Sequence, residues 1–564
     1  MAKYVIGIDF GTLSGRAVMV NTQTGLEMGA TVYDYPHGVM DETLPNGPKL
    51  GVDDALQYPQ DYLDVFSNTI PKLLNITRIS AKDVIGIGID FTACTVLPVK
   101  ADGTPLCFLD RYRSNKHAYV KLWKHHAAQG YANRLTEIAT QREESFLSRY
   151  GGKASSESMI PRLWQIVVED EALYNDMDYF IEATDWVVWK LIGKQTRNSC
   201  AAGYKALWHK VDGYPSKEFF KALDPRLENV VEDKLNCKVS PIGTKAGEID
   251  EAGAKLTGLN VGTAVAIGNV DAHSAVPGAL KEAAENQMLM IMGTSTCHML
   301  ISKEEKIIPG VFGVVEDGIL PGFFGYEAGQ SCVGDHFAWF VDNCVPEKYW
   351  IEANKAGMSI HQLLTEKAEQ LAVGESGLIA LDWWNGNRSV LLDIDLTGLM
   401  IGMTLGTKPE EMYRALIEST AYGTRKIIEN FEAHGVKVDE LFATGGISQK
   451  NPMMMQIYAD VTRRNVKIAG SEYGPALGAA VFGALAAGKE QGGYDSVFDA
   501  THVMANLKDI EYIPNKENAE VYDKLYEEYD VLHELFGRGE NDIMKRLKAI
   551  RMDVVNNQKD QELC

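Results

Sequence analysis

The chain opens on an apolar run through Val5 and Ile8, breaks at Asp9-Phe10-Gly11-Thr12, and resumes as Arg16-Ala17-Val18-Met19-Val20. Two apolar runs around a glycine-bearing tip predict a β-hairpin, with Gly11 allowing the tight reversal. The same grammar returns over 288–301, where Met-Leu-Met-Ile-Met meets Gly293-Thr294-Ser295-Thr296 and continues as His298-Met299-Leu300-Ile301. Recurrence of this unit predicts a duplicated domain. The copies are not equivalent, because Ile291 stands in the second where Asp9 stands in the first. Further buried strands are expected at 84–90, 264–270 and 441–444, each ending at polar or glycine residues. Helical patterns fall at 119–128, 160–169, 410–433, 452–462 and 476–487, a mixture that predicts an α/β architecture. Past about Gly488 the chain becomes charged and its strand signals fade, so 516–535 is expected to be an exposed, largely acidic helix of an accessory tail.

Composition bounds the function. The 564 residues exceed an average domain several-fold, and 45% hydrophobic with 23% charged residues is the balance of an ordinary globular protein. Two or more large domains are therefore expected. A net charge of −22 repels nucleic acid and anionic membrane, so neither is expected as a partner. The eight cysteines form no CxxC pair and no regular spacing, which argues against a zinc site or a disulfide framework and fits a reducing compartment. The N-terminus lacks a signal-peptide core, and the apolar stretch 475–488 is too short and too rich in Gly and Ala to span a bilayer. A cytoplasmic location is expected.

No GxxxxGK[ST] and no GxGxxG is present, so phosphate binding would fall to the glycine-bearing tips. At the first tip, Gly11 lets backbone N–H groups approach an anion, the Thr12 hydroxyl can donate to a phosphate oxygen, and Asp9 can hold a hydrated Mg²⁺. The ordinary alternative is a plain hairpin turn. Arg16 is either a further phosphate donor or a solvated strand residue. Gly293 and Thr294 offer a second nest of donors, and two such tips would grip a triphosphate between them. Asp271 follows an apolar strand pattern, where ligands gather at the carboxyl edge of α/β sheets, and it could deprotonate or orient a hydroxyl during phosphoryl transfer. Its alternative is a cap on the next helix, and the neighbouring His273 reads as structural. Gly445 and Gly446, with Asn451 further on, form a strand–turn–helix unit against which a flat ring could lie, or an ordinary helix entry. Lys205 and Glu327 are polar residues among aromatics, as in sugar pockets. Trp383-Trp384-Asn385-Gly386-Asn387-Arg388 suits either binding or a solvent-shielding interdomain loop.

Taken in order, these features resemble the FGGY family of carbohydrate kinases, within the superfamily of sugar kinases, Hsp70 and actin. The resemblance runs to about Gly488. Gly446-Ile447-Ser448 with Gln456-Ile457-Tyr458-Ala459-Asp460 is similar to the family's C-terminal signature, and Pro161-Arg162-Leu163-Trp164 to its N-terminal one, with Arg162 where most members have Lys. The resemblance implies two duplicated ribonuclease H-like domains with a catalytic cleft between them. It implies a sugar-binding domain over 1–279, an ATP-binding domain over 280–488, and a helical, charged extension over 489–564. Five segments, DFGTLSGRAV from Asp9, DFTACTVLP from Asp90, VKLWKHHAAQ from Val120, YEAGQSCVG from Tyr326 and WWNGNRSV from Trp383, are similar to the bacterial kinases of L-ribulose. The activity so implied is ATP-dependent phosphorylation of L-ribulose to L-ribulose 5-phosphate in L-arabinose catabolism. By the same resemblance Asp271 would be the general base, and Thr92, Ala93, Lys205 and Glu327 would line the sugar site. Mg²⁺ would lie near Asp9, Gly293 and Thr294 at the phosphates, and Gly445, Gly446 and Asn451 at the nucleoside. Closure of the cleft on binding is expected, because open water would compete with the sugar hydroxyl. Rival readings are a kinase of another polyol or ketose, an ATP-driven conformational switch, and a sugar-binding regulator. Association with further copies of the chain is left open.

Overall fold

The computed structural model describes residues 2–562 except 46, 283 and 540, with side chains described to residue 555. Two seven-stranded sheets dominate it. The first contains β1 (Tyr4–Phe10), β2 (Ser14–Asn21), β3 (Glu27–Asp34), β4 (Val84–Phe91), β5 (Lys245–Glu248), β6 (Ala264–Ala266) and β7 (Asn269–Val270). The second contains β8 (Gln287–Met292), β9 (Thr296–Ser302), β10 (Gly313–Glu316), β11 (Phe324–Gln330), β12 (Glu440–Thr444), β13 (Val466–Ala469) and β14 (Leu507–Tyr512).

Six strands of one sheet match six of the other in order and direction. The first sheet runs β3-β2-β1-β4-β6-β5, with β7 also beside β4, and the second runs β11-β9-β8-β12-β13-β14, with β10 outside β11. In each, three antiparallel strands precede two parallel additions and one antiparallel edge. The expected duplication is therefore present as a repeated sheet, the mixed α/β arrangement of the ribonuclease H-like type. The central strand β1 is buried from Val5 to Phe10, as its largely apolar sequence requires of a strand covered on both faces, and it carries Asp9 into the same buried run.

Two helices lie between the sheets: α2 (Asp271–Ala279) leaves β7 directly, and α4 (Gly474–Ala487) follows β13. They pack on each other, α4 also along β1 and β4, α2 also along β8 and β9. Small residues make this seam possible. A Cβ on Gly7 would stand 1.7 Å from the Ala476 carbonyl oxygen, one on Gly88 1.8 Å from that of Ala479, and one on Gly478 1.6 Å from that of Ser274. Helix and strand backbones thus touch directly, and no other residue type fits.

Two expectations need correction. Residues 119–128 are not a helix: Val120–Lys121 is a short strand paired with Leu56–Gln57, and His126 and Ala127 donate backbone N–H groups to the Asp53 carbonyl, so tertiary pairing with 53–57 overrides local periodicity. A helix begins only at Gln129. Nor does the chain past 488 lack strands or stand apart. β14 pairs antiparallel with β13, its alternating charges marking it as an edge strand. Helix α5 (Lys516–Gly537) buries Ala519, Tyr522, Tyr526, Tyr529 and His533 along one stripe. That stripe docks on α3 (Pro409–Ala433), where the Tyr522 hydroxyl donates to Glu418 at 3.0 Å and that of Tyr526 to Glu429 at 2.6 Å. Among the described residues no helix is long and apolar enough to cross a membrane.

Candidate active site between the two sheets

Three parallel strands of the first sheet bring distant residues into one rank. Asn269 of β7 pairs with Asp90 of β4, Asp90 with Asp9 of β1, and Asp9 with Arg16 of β2. Parallel strands end at the same edge, so the rank lies where ligands gather in α/β sheets. Arg16 donates to Asp9 across 2.8 Å. Both carboxylate oxygens of Asp90 are buried without a hydrogen-bond partner, and burial first, then Asp9 and Asp271, pushes this carboxyl well above the ordinary range. Asp271, the first residue of α2, is partly exposed at the same edge. It is not the helix cap, which falls on Val270, and its carboxylate accepts from the adjacent Ala272 N–H at 2.7 Å. Burial, then the charge of Asp9, raises its pKa to about 7, the value suited to a base at neutral pH.

The first tip lies beside this rank. Gln57 donates to the Thr12 carbonyl at 2.7 Å and the Trp123 indole to the Thr12 hydroxyl at 3.1 Å, holding the tip in place. The second tip leaves Gly293 and Thr294 exposed, with Val333 and Gly334 donating to the carbonyls of Thr294 and Gly293 at 2.8 and 3.0 Å. Gly445 takes φ 102° and sits so close to this tip that a Cβ would fall 2.2 Å from the Met292 carbonyl oxygen, whereas Gly446 faces open space. Gly445 therefore lies against the second tip, with Gly446 open beside it. Asn451 does not join them through its side chain, which accepts from Met454 N–H at 3.0 Å and reaches the Thr365 hydroxyl at 3.4 Å. It caps a helix, the ordinary alternative for that position.

Between the halves lies a buried charged group. Thr92 continues β4, its N–H bonded to the Phe10 carbonyl at 3.1 Å and its hydroxyl 2.7 Å from that of Thr95, with Ala93 partly exposed beside it. Lys205 ends helix α1 (Ser199–Lys205), its ammonium 4.9 Å from the Phe312 ring centre and 3.9 Å from Glu157. Glu327 of β11 is paired with Arg388 and stands 3.5 Å from His273. Burial alone would raise its carboxyl, but the Lys205 and Arg388 cations, with His273, hold it down at about 2.

Comparison with known proteins identifies the family of the chain. Residues 4–278 match the N-terminal domain of the FGGY family of carbohydrate kinases, and residues 288–487 its C-terminal domain. The chain belongs to the FGGY family of carbohydrate kinases. Among its relatives within that family, a ribulokinase of Anoxybacillus flavithermus is 57% identical over 547 residues, 97% of each chain. A ribulokinase of Geobacillus thermodenitrificans matches at the same identity and coverage. At the level of fold, gluconate kinase from Lactobacillus acidophilus superposes with a TM-score of 0.77 at 18% identity, covering 96% of this chain and 99% of that one. Glycerol kinase from Plasmodium falciparum, solved with ADP, superposes at 0.74 with 13% identity, covering 94% and 98%.

In this FGGY chain, several residues to which local sequence pattern assigns no chemical role stand at the site. Asp90 closes the apolar run of β4, where it reads as an ordinary strand end; its alignment with Asp9 was the signal available. Arg388 was hidden beside two tryptophans that turn out to serve packing rather than binding or interdomain shielding. Trp383 is fully buried edge-on to His533 of α5 at 5.4 Å, and Trp384 packs 5.6 Å from His336. Arg162 of the N-terminal signature is buried and donates to the backbone carbonyls of Ser156, Cys94, Lys121, Trp123 and His125, tying the Thr92 segment to the Trp123 segment.

The acidic rank also fits a magnesium ion. The orphaned Asp90 oxygens ask for a cation, and Asp9 stands beside them. Among the described residues, the ligand atoms of Asp9, Asp90 and Asp271 do not all come within 4.8 Å of one another. Of the trio that does meet that distance, Asp530, His533 and Glu534, the two carboxylates already pair with the Lys426 ammonium.

Proposed function

We propose that this kinase transfers the γ-phosphoryl group of ATP to L-ribulose, giving L-ribulose 5-phosphate, the reaction that L-arabinose catabolism requires. The observation that carries the chemistry is Asp271: a partly exposed carboxylate at a strand end with a pKa of about 7, within the field of both Asp9 and Glu327. The choice of sugar rests on the two relatives named ribulokinase.

In this reading residues 1–279 hold the sugar and 280–488 the nucleotide. Thr92, Ala93, Lys205 and Glu327 orient the sugar so that its terminal hydroxyl faces Asp271. Asp271 takes the proton as that oxygen forms its bond to the γ-phosphorus, and the bond from the γ-phosphorus to the bridging oxygen breaks to release ADP. Backbone N–H groups at Thr12 and at Gly293 and Thr294, with Arg16, receive phosphate oxygens. Gly445 and Gly446 give the nucleoside a surface without side chains, and Asn451 supports them by capping the next helix. Asp9, with Asp90, would hold Mg²⁺, which supplies charge neutralisation at the phosphates. Positioning by two halves explains why little covalent help from the protein is needed.

The test is ADP production with Mg-ATP and L-ribulose, D-ribulose, D-xylulose, glycerol or no sugar. The highest kcat/KM is expected with L-ribulose, and a folded Asp271→Asn enzyme should lose about 10²–10⁴-fold in kcat. Equal ADP release without sugar would overturn the kinase reading; preference for another polyol would overturn the sugar assignment.

A further inference from the structure

Glu327 is held in an asymmetric way. One carboxylate oxygen, Oε1, accepts from Arg388, while Oε2 is buried with no hydrogen-bond partner, 3.5 Å from a His273 nitrogen that also lacks one. Arg388 is itself fixed. The next residue, Ser389, donates its N–H to the Gly329 carbonyl at 3.0 Å and accepts from the Gly329 N–H on its hydroxyl at 3.2 Å, stitching the loop to β11 two residues beyond Glu327. The guanidinium lies 5.7 Å from the Phe312 ring centre, the same ring that carries the Lys205 ammonium, and 3.7 Å from Cys297 Sγ. Two cations from opposite halves of the molecule thus flank one carboxylate across one aromatic ring.

We infer that Arg388 is a positioning residue for the sugar: by occupying Oε1 it orients Glu327, so that Oε2 is left as the acceptor for a sugar hydroxyl. The inference rests on the ketopentose-kinase reading above. An ionised acceptor binds a hydroxyl about twice as strongly as a neutral one, and a fixed one spends less entropy in doing so. Arg388 acts through Glu327, so its removal weakens sugar binding more than it slows phosphoryl transfer. The groups facing Glu327 are Lys205, Cys200 and Tyr204 from α1, Asp271 and His273 from α2, Cys297 from β9, and Arg388. Without the arginine, burial and Asp271 oppose the charge, with the Lys205 cation left to support it.

The experiment compares wild type, Arg388→Met, Arg388→Lys, Glu327→Gln and the Arg388→Met/Glu327→Gln double variant, with folding checked by thermal melting. Arg388→Met should raise the KM for L-ribulose about tenfold or more while kcat and the KM for ATP stay within about threefold. Its KM relative to wild type should fall as pH rises from 5.5 to 8, because Glu327 then ionises without help. Arg388→Lys should recover part of the loss, and the double variant should match Glu327→Gln within about threefold. A loss in kcat alone, a pH-independent KM ratio, or additive losses in the double variant would each overturn the inference. If wild type itself turns over no ketopentose, the functional reading fails instead, and sugar binding is then compared between wild type and Arg388→Met by calorimetry with the sugar that is turned over; equal affinity overturns the inference.

Discussion

The two sheets share six strands in the same order and direction, yet the ranks at their corresponding edges differ in chemistry. In the first, Asp90, Asp9 and Arg16 line up across neighbouring strands; in the second, the matching line is Thr444, Ile291 and Cys297. One is charged and the other neutral. Duplication therefore supplied two equal scaffolds, and a few register positions divided the labour. The charged rank suits a cation and a base, whereas the neutral one leaves its tip to offer backbone N–H groups and a side-chain-free surface at Gly445 and Gly446. A second carboxylate at the Ile291 position would repel the phosphates that tip is proposed to receive.

The contrast can be broken most sharply at Asp9. Asp9→Asn should lower kcat/KM about 10²-fold in the coupled ADP assay, while Ile291→Val at the matching position changes it by less than about twofold. Similar losses in both would erase the proposed division. Next in size is the pH profile. With the Asp271 carboxyl at about 7 and needed as the anion, kcat/KM should climb about tenfold per pH unit below neutrality and level off above it; a flat profile from pH 5.5 to 8 would remove Asp271 as base.

Glycines test the seam against the open surface. A Cβ on Gly7 meets the Ala476 carbonyl oxygen at 1.7 Å, and one on Gly446 meets nothing within 4 Å. Gly7→Ala should cost about 1–3 kcal/mol in urea unfolding, and Gly446→Ala should leave stability nearly unchanged. The smallest effect is expected at Asp90. Its carboxyl is raised in the folded state, so folding retains a proton that the unfolded chain releases, and stability falls as pH rises above the ordinary carboxylate range. Asp90→Asn removes that loss: without magnesium, its Tm should exceed wild type by a few degrees at pH 8 and by less at pH 5. A lower Tm at pH 8 would contradict an unpaired buried carboxyl.

Much of this was legible along the chain. The duplicated hairpins, with Asp9 and Asp271 at strand ends, declare themselves because a buried strand ending in a carboxylate is a local pattern. Asp90 ends an equally local pattern, but its meaning depends on neighbours supplied by other strands. Arg388 reads as part of a tryptophan-rich loop until the loop is stitched to Gly329. Residues 119–128 have helical spacing, yet their backbone finds partners around Asp53 first. Leu507–Tyr512 reads as a charged tail because an edge strand needs few apolar positions, and α5 shows its tyrosine stripe only once α3 lies against it.

By itself the sequence determined the fold class, the duplication and the identity of the strand-end carboxylates, since hydrophobic period and turn chemistry are written within a few residues. Tertiary structure decided which of those groups share an environment. Register across parallel strands set Asp90 between Asp9 and Asn269, and packing of one half on the other set Glu327 between Lys205 and Arg388. Charge interaction depends on distance through space and on the water excluded, and neither quantity is written in the spacing of residues along a chain.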